Sequence, residues 1–266
     1  MNKIYCCYPG GKHKALTMSY DDGRIQDRRL IRIFNENGIR GTFHLNSGRL
    51  QEENRIHPEE IPDLYRGHEV ACHTVTHPTI ARCPLPEVAA EVLEDRKVLE
   101  KIMGRTIRGM AYPNGSFDDK VVEVFKSCGI VHARTVNQTL SFELPSDFLR
   151  WNPTCRHADP NLESLSKAFS EFHKTQYLQM FYVWGHSYEF DRDNNWEIME
   201  KFAKDMGGHE DIWYATNIDI VDYLDASDRI QVSVDGTFAY NPNAISVWIE
   251  VDKKAVEILP GKYTEI

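Results

Sequence analysis

What this 266-residue chain lacks narrows its options first. It has no long uncharged apolar run, so no membrane partner is expected, and it carries no lipidation signal. No basic stripe is present, and 31 Lys and Arg stand against 40 Asp and Glu, a formal charge of −9. That balance argues against a nucleic-acid partner, because phosphate binding needs clustered cations. Cysteine is sparse and unpatterned. Cys6 and Cys7 are neighbours, while Cys72, Cys83, Cys128 and Cys155 are scattered without CxxC spacing, so neither a disulfide framework nor a thiolate zinc site is expected. The opening residues, Met1 through Pro9, have no apolar secretory core. With reduced thiols, that leads to the expectation of a cytoplasmic protein. Gly10-Gly11-Lys12 lacks the spacing and the following Ser or Thr of a phosphate loop.

What is present is alternation. Strand-like apolar runs at 15–19, 41–46, 69–72, 107–112, 130–134, 178–184 and 212–215 are interleaved with helix-period segments at 27–37, 58–65, 86–103, 118–127, 162–173, 196–206 and 218–224. Such a series predicts βα units around a mostly parallel sheet, either closed into a barrel or left partly open. After Asp225 the pattern becomes short strands separated by Asp-Gly and Asn-Pro-Asn turns, a β-meander signature. The expected organisation is a main α/β domain over 1–226 and a small C-terminal β appendage over 227–266.

The chemistry concentrates at strand ends. Leu16-Thr17-Met18-Ser19-Tyr20 stops at Asp21-Asp22-Gly23. Adjacent strand residues point to opposite faces, so a regular strand could not aim both carboxylates at one place, whereas a strand that ends there can. Read alone, Asp-Asp-Gly is also an ordinary turn. The third strand leads into His73-Thr74-Val75-Thr76-His77-Pro78, whose β-branched residues and proline favour a loop over a helix at the same rim. Two histidines and a carboxylate are a common first shell for a catalytic divalent metal. Cys72, adjoining His73, is expected to face the core.

Tyr20-Asp21-Asp22-Gly23 followed by His73-Thr74-Val75-Thr76-His77 resembles the first two motifs, T-F-D-D-G and H-[ST]-x-x-H, of the polysaccharide deacetylases, the NodB-homology carbohydrate esterases. Gly41-Thr42-Phe43 and Gly67-His68-Glu69-Val70 support the likeness, which spans about residues 14 to 224. The resemblance implies a distorted (β/α) barrel and a metal-dependent hydrolase that removes an acetyl group, N-acetyl before O-acetyl, from a carbohydrate. It implies Asp22, His73 and His77 as ligands of one divalent ion, with zinc expected and cobalt, nickel or iron also suited to the set. Asp21 would be the general base.

The third motif is approximated by Met110-Ala111-Tyr112-Pro113-Asn114-Gly115, where Ala111 stands in place of the arginine that usually contacts the base. Arg134, Arg150 and Arg156 are the candidates to replace it. Asn114 aligns with the residue whose backbone N–H faces the oxyanion, and Tyr112 is placed with it at the substrate site. Val183-Trp184-Gly185-His186 matches the fifth motif, making His186 the general acid and Trp184 a pocket wall, with Glu189 or Asp191 to orient the imidazole. The fourth motif, normally rich in Asp, has no clean counterpart; Arg150-Trp151-Asn152-Pro153-Thr154 occupies its place. A cyclic-amide hydrolase of the same fold and a catalytically silent sugar-binding module are the rival readings.

Overall fold

The computed structural model describes residues 3–266. β1 (Ile4–Cys7) is joined through a turn to β2 (Lys14–Asp21), the strand about which the rest is arranged. Every residue of β2 is buried, as expected of a strand covered on both faces. It is followed by α1 (Asp27–Glu36), β3 (Gly41–Leu45), the single turn α2 (Ile61–Leu64), β4 (Glu69–Cys72), α3 (Leu85–Met103), β5 (Gly109–Ala111), α4 (Asp119–Ser127) and β6 (His132–Arg134). An irregular stretch leads to β7 (Cys155–Arg156), then α5 (Leu162–Ser170), β8 (Gln179–Gly185), α6 (Tyr188–Arg192), α7 (Trp196–Met206), β9 (Ile212–Tyr214) and α8 (Asn217–Asp228).

Local chemistry sets these limits. On α1, Leu30, Ile31, Ile33 and Phe34 form the buried stripe. α3 stops at Gly104, which takes the left-handed conformation at φ 64° that a side chain would resist. α8 opens with a reciprocal cap between Thr216 and Asp219.

The strands run parallel in the order β6-β5-β4-β3-β2-β8-β7, and β9 adds to the first half of β2. The sheet curls until its ends meet. Trp151 donates its N–H to Ala133 O at 3.0 Å and accepts from Thr135 N–H at 2.9 Å, and Thr154 N–H reaches Tyr182 O at 2.9 Å. The segment in the fourth motif's place thus closes a distorted (β/α) barrel, with Trp151 fully buried at the seam.

The last strands, β10 (Gln231–Val232), β11 (Phe238–Tyr240), β12 (Val247–Val251), β13 (Lys254–Ile258) and β14 (Tyr263–Glu265), form two three-stranded antiparallel sheets. β1 belongs with them, since Ile4 pairs with Val251 and Cys7 with Trp248. Tyr223 of α8 ties the sheets down, donating to Cys7 O at 2.6 Å and accepting from Trp248 N–H at 2.9 Å. These contacts lie near the start of β2, at the opposite end from Asp21. Among the described residues no helix is long and apolar enough to cross a membrane.

Candidate active site

The C-terminal ends of β2, β4, β5, β6 and β8 converge on Asp21. Asp22, His73 and His77 each offer one ligand atom, and these atoms lie within 4.8 Å of one another. Such proximity demands irregular backbone, and three residues at this rim, Asp22 (φ 81°), Thr74 (φ 66°) and His77 (φ 61°), take left-handed conformations. For β-branched Thr74 this is a strained state, of the kind that persists where surrounding contacts over-determine it. Those contacts are visible. Asn46 Nδ2 donates to His73 O at 2.5 Å and Thr74 O at 3.1 Å, and Thr74 Oγ1 accepts from His77 N–H at 3.1 Å. Glu91 holds Thr76 through its N–H at 2.9 Å and its hydroxyl at 2.6 Å.

His73 is oriented from both sides. Its N–H donates to Asp95 Oδ2 at 2.9 Å, and its Nδ1 lies 2.8 Å from Ala111 O. A carbonyl only accepts, so Nδ1 carries the proton and Nε2 keeps its lone pair toward the site. Burial pushes the imidazole down to about 4, despite the pull of Asp21, so the ring is neutral. A neutral imidazole, a second histidine and a half-buried carboxylate form a donor set that fits a divalent cation.

Asp21 borders that set, with Oδ2 3.8 Å from His73 Nε2, and has its own partners. Arg134 Nη2 donates to Asp21 Oδ2, while His44 Nδ1 stands 3.2 Å from Oδ1. Of Arg134, Arg150 and Arg156, it is Arg134 that meets Asp21. Arg150 turns to Asp119 and Asp147, and Arg156 to Glu189. Burial alone would raise the Asp21 carboxyl; the Arg134 guanidinium, with His73 and His44, outweighs it and holds the group well below the usual carboxylate range. Arg134 is itself fixed by a 3.0 Å hydrogen bond to Ser19 Oγ and by the Trp184 ring, whose centroid is 4.3 Å from its guanidinium carbon. In the β5–β6 pairing, Arg134 is the register partner of Ala111. The guanidinium missing from one strand is supplied by the next strand at the same height.

His186 follows β8, with Nε2 at 4.0 Å from Asp21 Oδ2 and Nδ1 at 3.5 Å from Glu189 Oε1. Glu189 is the acid beside this imidazole, and it also faces His157 Nε2 at 3.3 Å and Arg156. Asp191 points elsewhere, to Gln26 and Trp196. Burial would raise the Glu189 carboxyl, but His157, His186 and Arg156 together bring it well below its ordinary value. It is an anion throughout the neutral range. Trp184 walls the site beside His186, the ring centroids 5.8 Å apart.

Two residues expected at the substrate site need separate treatment. Tyr112 is corrected: its ring stacks on Phe117 and Phe125 in the core, its hydroxyl donates to Leu149 O at 2.7 Å, and its side chain is closed to substrate. Asn114 is exposed in a left-handed conformation at φ 56°, with Nδ2 at 3.4 Å from Thr79 Oγ1. Sequence reading missed Asp95 and Glu91, because a carboxylate on a long helix reads as solvated face. His44, on β3, also stands beside Asp21.

The loop carrying His186 is anchored by a buried acid. Asp27, at the start of α1, accepts hydrogen bonds from Ser187 Oγ at 2.5 Å and Tyr65 Oη at 2.7 Å. Burial raises its carboxyl to about 7, against the opposing hydrogen bonds. A folded value above the unfolded one means that the fold favours the protonated form. This contribution is complete below the ordinary carboxylate range and is lost as pH rises through about 7, at up to about 1.4 kcal/mol per pH unit across that window. Urea unfolding from pH 4 to pH 8 should show that decline, and Asp27→Asn should flatten it. An unchanged slope in the variant would refute the assignment.

The polysaccharide deacetylase family model matches residues 9–133. Chitin deacetylase 1 of Cryptococcus neoformans is 30% identical over 115 residues, 42% of this chain and 24% of that protein. The chain thus spans about a quarter of the length of this curated relative. In fold, the chain is similar to a Mycobacterium smegmatis structure described as a polysaccharide deacetylase, with a TM-score of 0.63 and 15% identity over 86% of this chain and 96% of the other. It is also similar to a family 4 carbohydrate esterase pseudoenzyme from Bacillus anthracis, with a TM-score of 0.51 and 19% identity over 82% and 68%. The motif order along β2 and β4, the barrel they help build and the matched segment agree: over residues 9–133 the chain is similar to the polysaccharide deacetylase family, and it shares the fold of such proteins.

Proposed function

We propose that this chain is a metal-dependent deacetylase that hydrolyses an acetyl group, N-acetyl in the first instance, on a sugar substrate. The observation that carries the proposal is the convergence of Asp22, His73 and His77 within 4.8 Å, with a second carboxylate, Asp21, bordering the cluster 3.8 Å from His73 Nε2 and engaged by Arg134. Adjacent aspartates with different neighbours can take different roles.

Asp22, His73 Nε2 and His77 would hold the ion, which when bound would supply Lewis-acid chemistry, acidifying water and polarising a carbonyl. Asp21 accepts the proton of the attacking water; Arg134 keeps its carboxylate ionised and aimed. Asn114 N–H is the oxyanion donor carried over from the third motif. His186 delivers a proton to the departing amine nitrogen, with anionic Glu189 stabilising the imidazolium. Trp184 bounds the pocket and excludes water from one side.

The test combines acetate release with metal analysis. Zinc-loaded protein, offered a panel of acetylated sugars, should release acetate from at least one. Asp22→Ala and His73→Ala should each lower metal affinity by more than the ~10–100-fold typical of losing a supporting contact. Wild-type metal content in both variants would sink the ligand assignment. Sugar binding without acetate release would instead favour the silent binding module.

A further inference from the structure

Three arginines, Arg24, Arg49 and Arg55, cluster beside Asp22, in a chain whose formal charge is −9. Arg24 directly follows Gly23 and its backbone bridges to that of Arg55. The Arg55 side chain is 1% exposed; Nη1 donates to Asp22 O and stands 3.6 Å from Asp22 Oδ1, and Nε lies 3.4 Å from Glu52 Oε2. Its Nη2 is buried without a hydrogen-bond partner. Arg49 bonds both Glu52 oxygens, at 2.8 and 3.3 Å, and lies close enough to Asp22 to feel its charge.

Arg24 differs from the other two. Among the described residues no carboxylate pairs with it, and its Nε is buried without a partner. Its guanidinium carbon sits 5.1 Å from the centre of the Tyr188 ring, which in turn lies 5.4 Å from the His186 imidazole. The ring steadies the cation without neutralising it. An exposed arginine such as Arg32 is satisfied by water; Arg24 is half-buried, and part of its guanidinium is out of water.

The charge balance around this edge is uneven. Arg24, Arg49 and Arg55 have Asp22 and Glu52 for company, and Asp22 faces the metal cluster. Partly desolvated cations short of counter-charge are costly, and guanidinium groups offer the paired donors that carboxylates and phosphates match. In an acidic protein such an island also steers anions toward the cleft.

Resting on the deacetylase reading, we propose that the substrate is an acetylated sugar carrying an anionic substituent, a carboxylate or a phosphate, which Arg24 receives beside Tyr188, with the buried Arg55 adding its positive charge from behind. The anion is the handle that presents the acetyl group to Asp21 and His186.

The experiment is calorimetric titration of the metal-free and zinc-loaded protein with N-acetylglucosamine, N-acetylglucosamine 6-phosphate and N-acetylmuramic acid. At least one anionic sugar should bind about tenfold or more tighter than the neutral one, as a charged hydrogen bond implies, and the gap should shrink with added salt. Comparing the two anionic sugars distinguishes phosphate from carboxylate. Arg24→Gln should bring the preference below about twofold and Arg24→Lys should keep part of it, with circular dichroism showing both variants folded. Equal affinity for the three sugars, or an undiminished preference in Arg24→Gln, would overturn the proposal. Acetate is measured in parallel. Release from the neutral sugar with no anionic preference would remove this subsite and leave the deacetylase standing; anionic preference with no acetate from any sugar would do the reverse.

Discussion

Asp21→Asn should abolish most turnover while leaving the metal in place. A positioned base contributes about 10²–10⁴-fold, so kcat should fall into that range with zinc content unchanged, because Asp22, His73 and His77 are untouched. The substitution also leaves Arg134, fully buried, without its carboxylate. Breaking a buried pair from one side costs about 3–5 kcal/mol, and lost activity could then be mistaken for lost fold. The double variant Asp21→Asn/Arg134→Met separates the two effects. Removing both charges should recover much of the stability, since burial of an apolar replacement is often neutral or better, but it should recover none of the rate. A cycle of thermal melts and acetate assays reads the two separately. Full activity in folded Asp21→Asn would reject Asp21 as the base.

The legibility of this site in the sequence follows the range of its contacts. Asp21, Asp22, His73, His77 and His186 stand out in the sequence because each lies at the end of a strand whose apolar run announces it, and because their spacing along the chain is itself the signal. The barrel was readable for the same reason: alternating periods are local. Its closure was not. Trp151 binds β6 and Thr154 binds β8 by backbone hydrogen bonds from a stretch with no strand pattern, and β7 is only two residues long. β1 was unreadable as a strand of the C-terminal sheets because its partner lies more than 240 residues away, Ile4 against Val251. Asp95 was invisible among the charged positions of α3, although its carboxylate accepts from the backbone of both Ser47 and His73. Glu189 was in view as a neighbour of His186, yet only the turn of α6 decides between it and Asp191. Tyr112 failed for a simple reason: a motif fixes its backbone position, while side-chain direction depends on Phe117 and Phe125 packing beneath it.

Arg134→Met should lower turnover by about two orders of magnitude, near the cost of losing one preorganised electrostatic contact. The direction is not obvious from charge alone. Arg134 depresses the basicity of Asp21, and a weaker base is a poorer catalyst, so on basicity alone its removal would help. Burial decides otherwise. Desolvation is the largest influence on Asp21, and Arg134 is the largest that opposes it. Without the guanidinium the carboxyl is driven toward its protonated form and loses a bond that aims it. The variant's activity should therefore rise toward higher pH, where the carboxyl ionises again, unlike that of a variant that merely misplaces the base. Restoring the cation from the neighbouring strand is the stronger test. Residues paired in register on adjacent parallel strands share a face about 4.8 Å apart, and Ala111 is the partner of Arg134. In Ala111→Arg/Arg134→Met the guanidinium should reach Asp21 from β5, with Met taking the space beside Trp184. Recovery of at least about tenfold over Arg134→Met, with the pH profile moving back, is the expected result. A double variant that is folded, binds zinc and is no better than Arg134→Met would mean that Arg134 acts through Trp184 and Ser19 packing rather than through the charge it presents to Asp21.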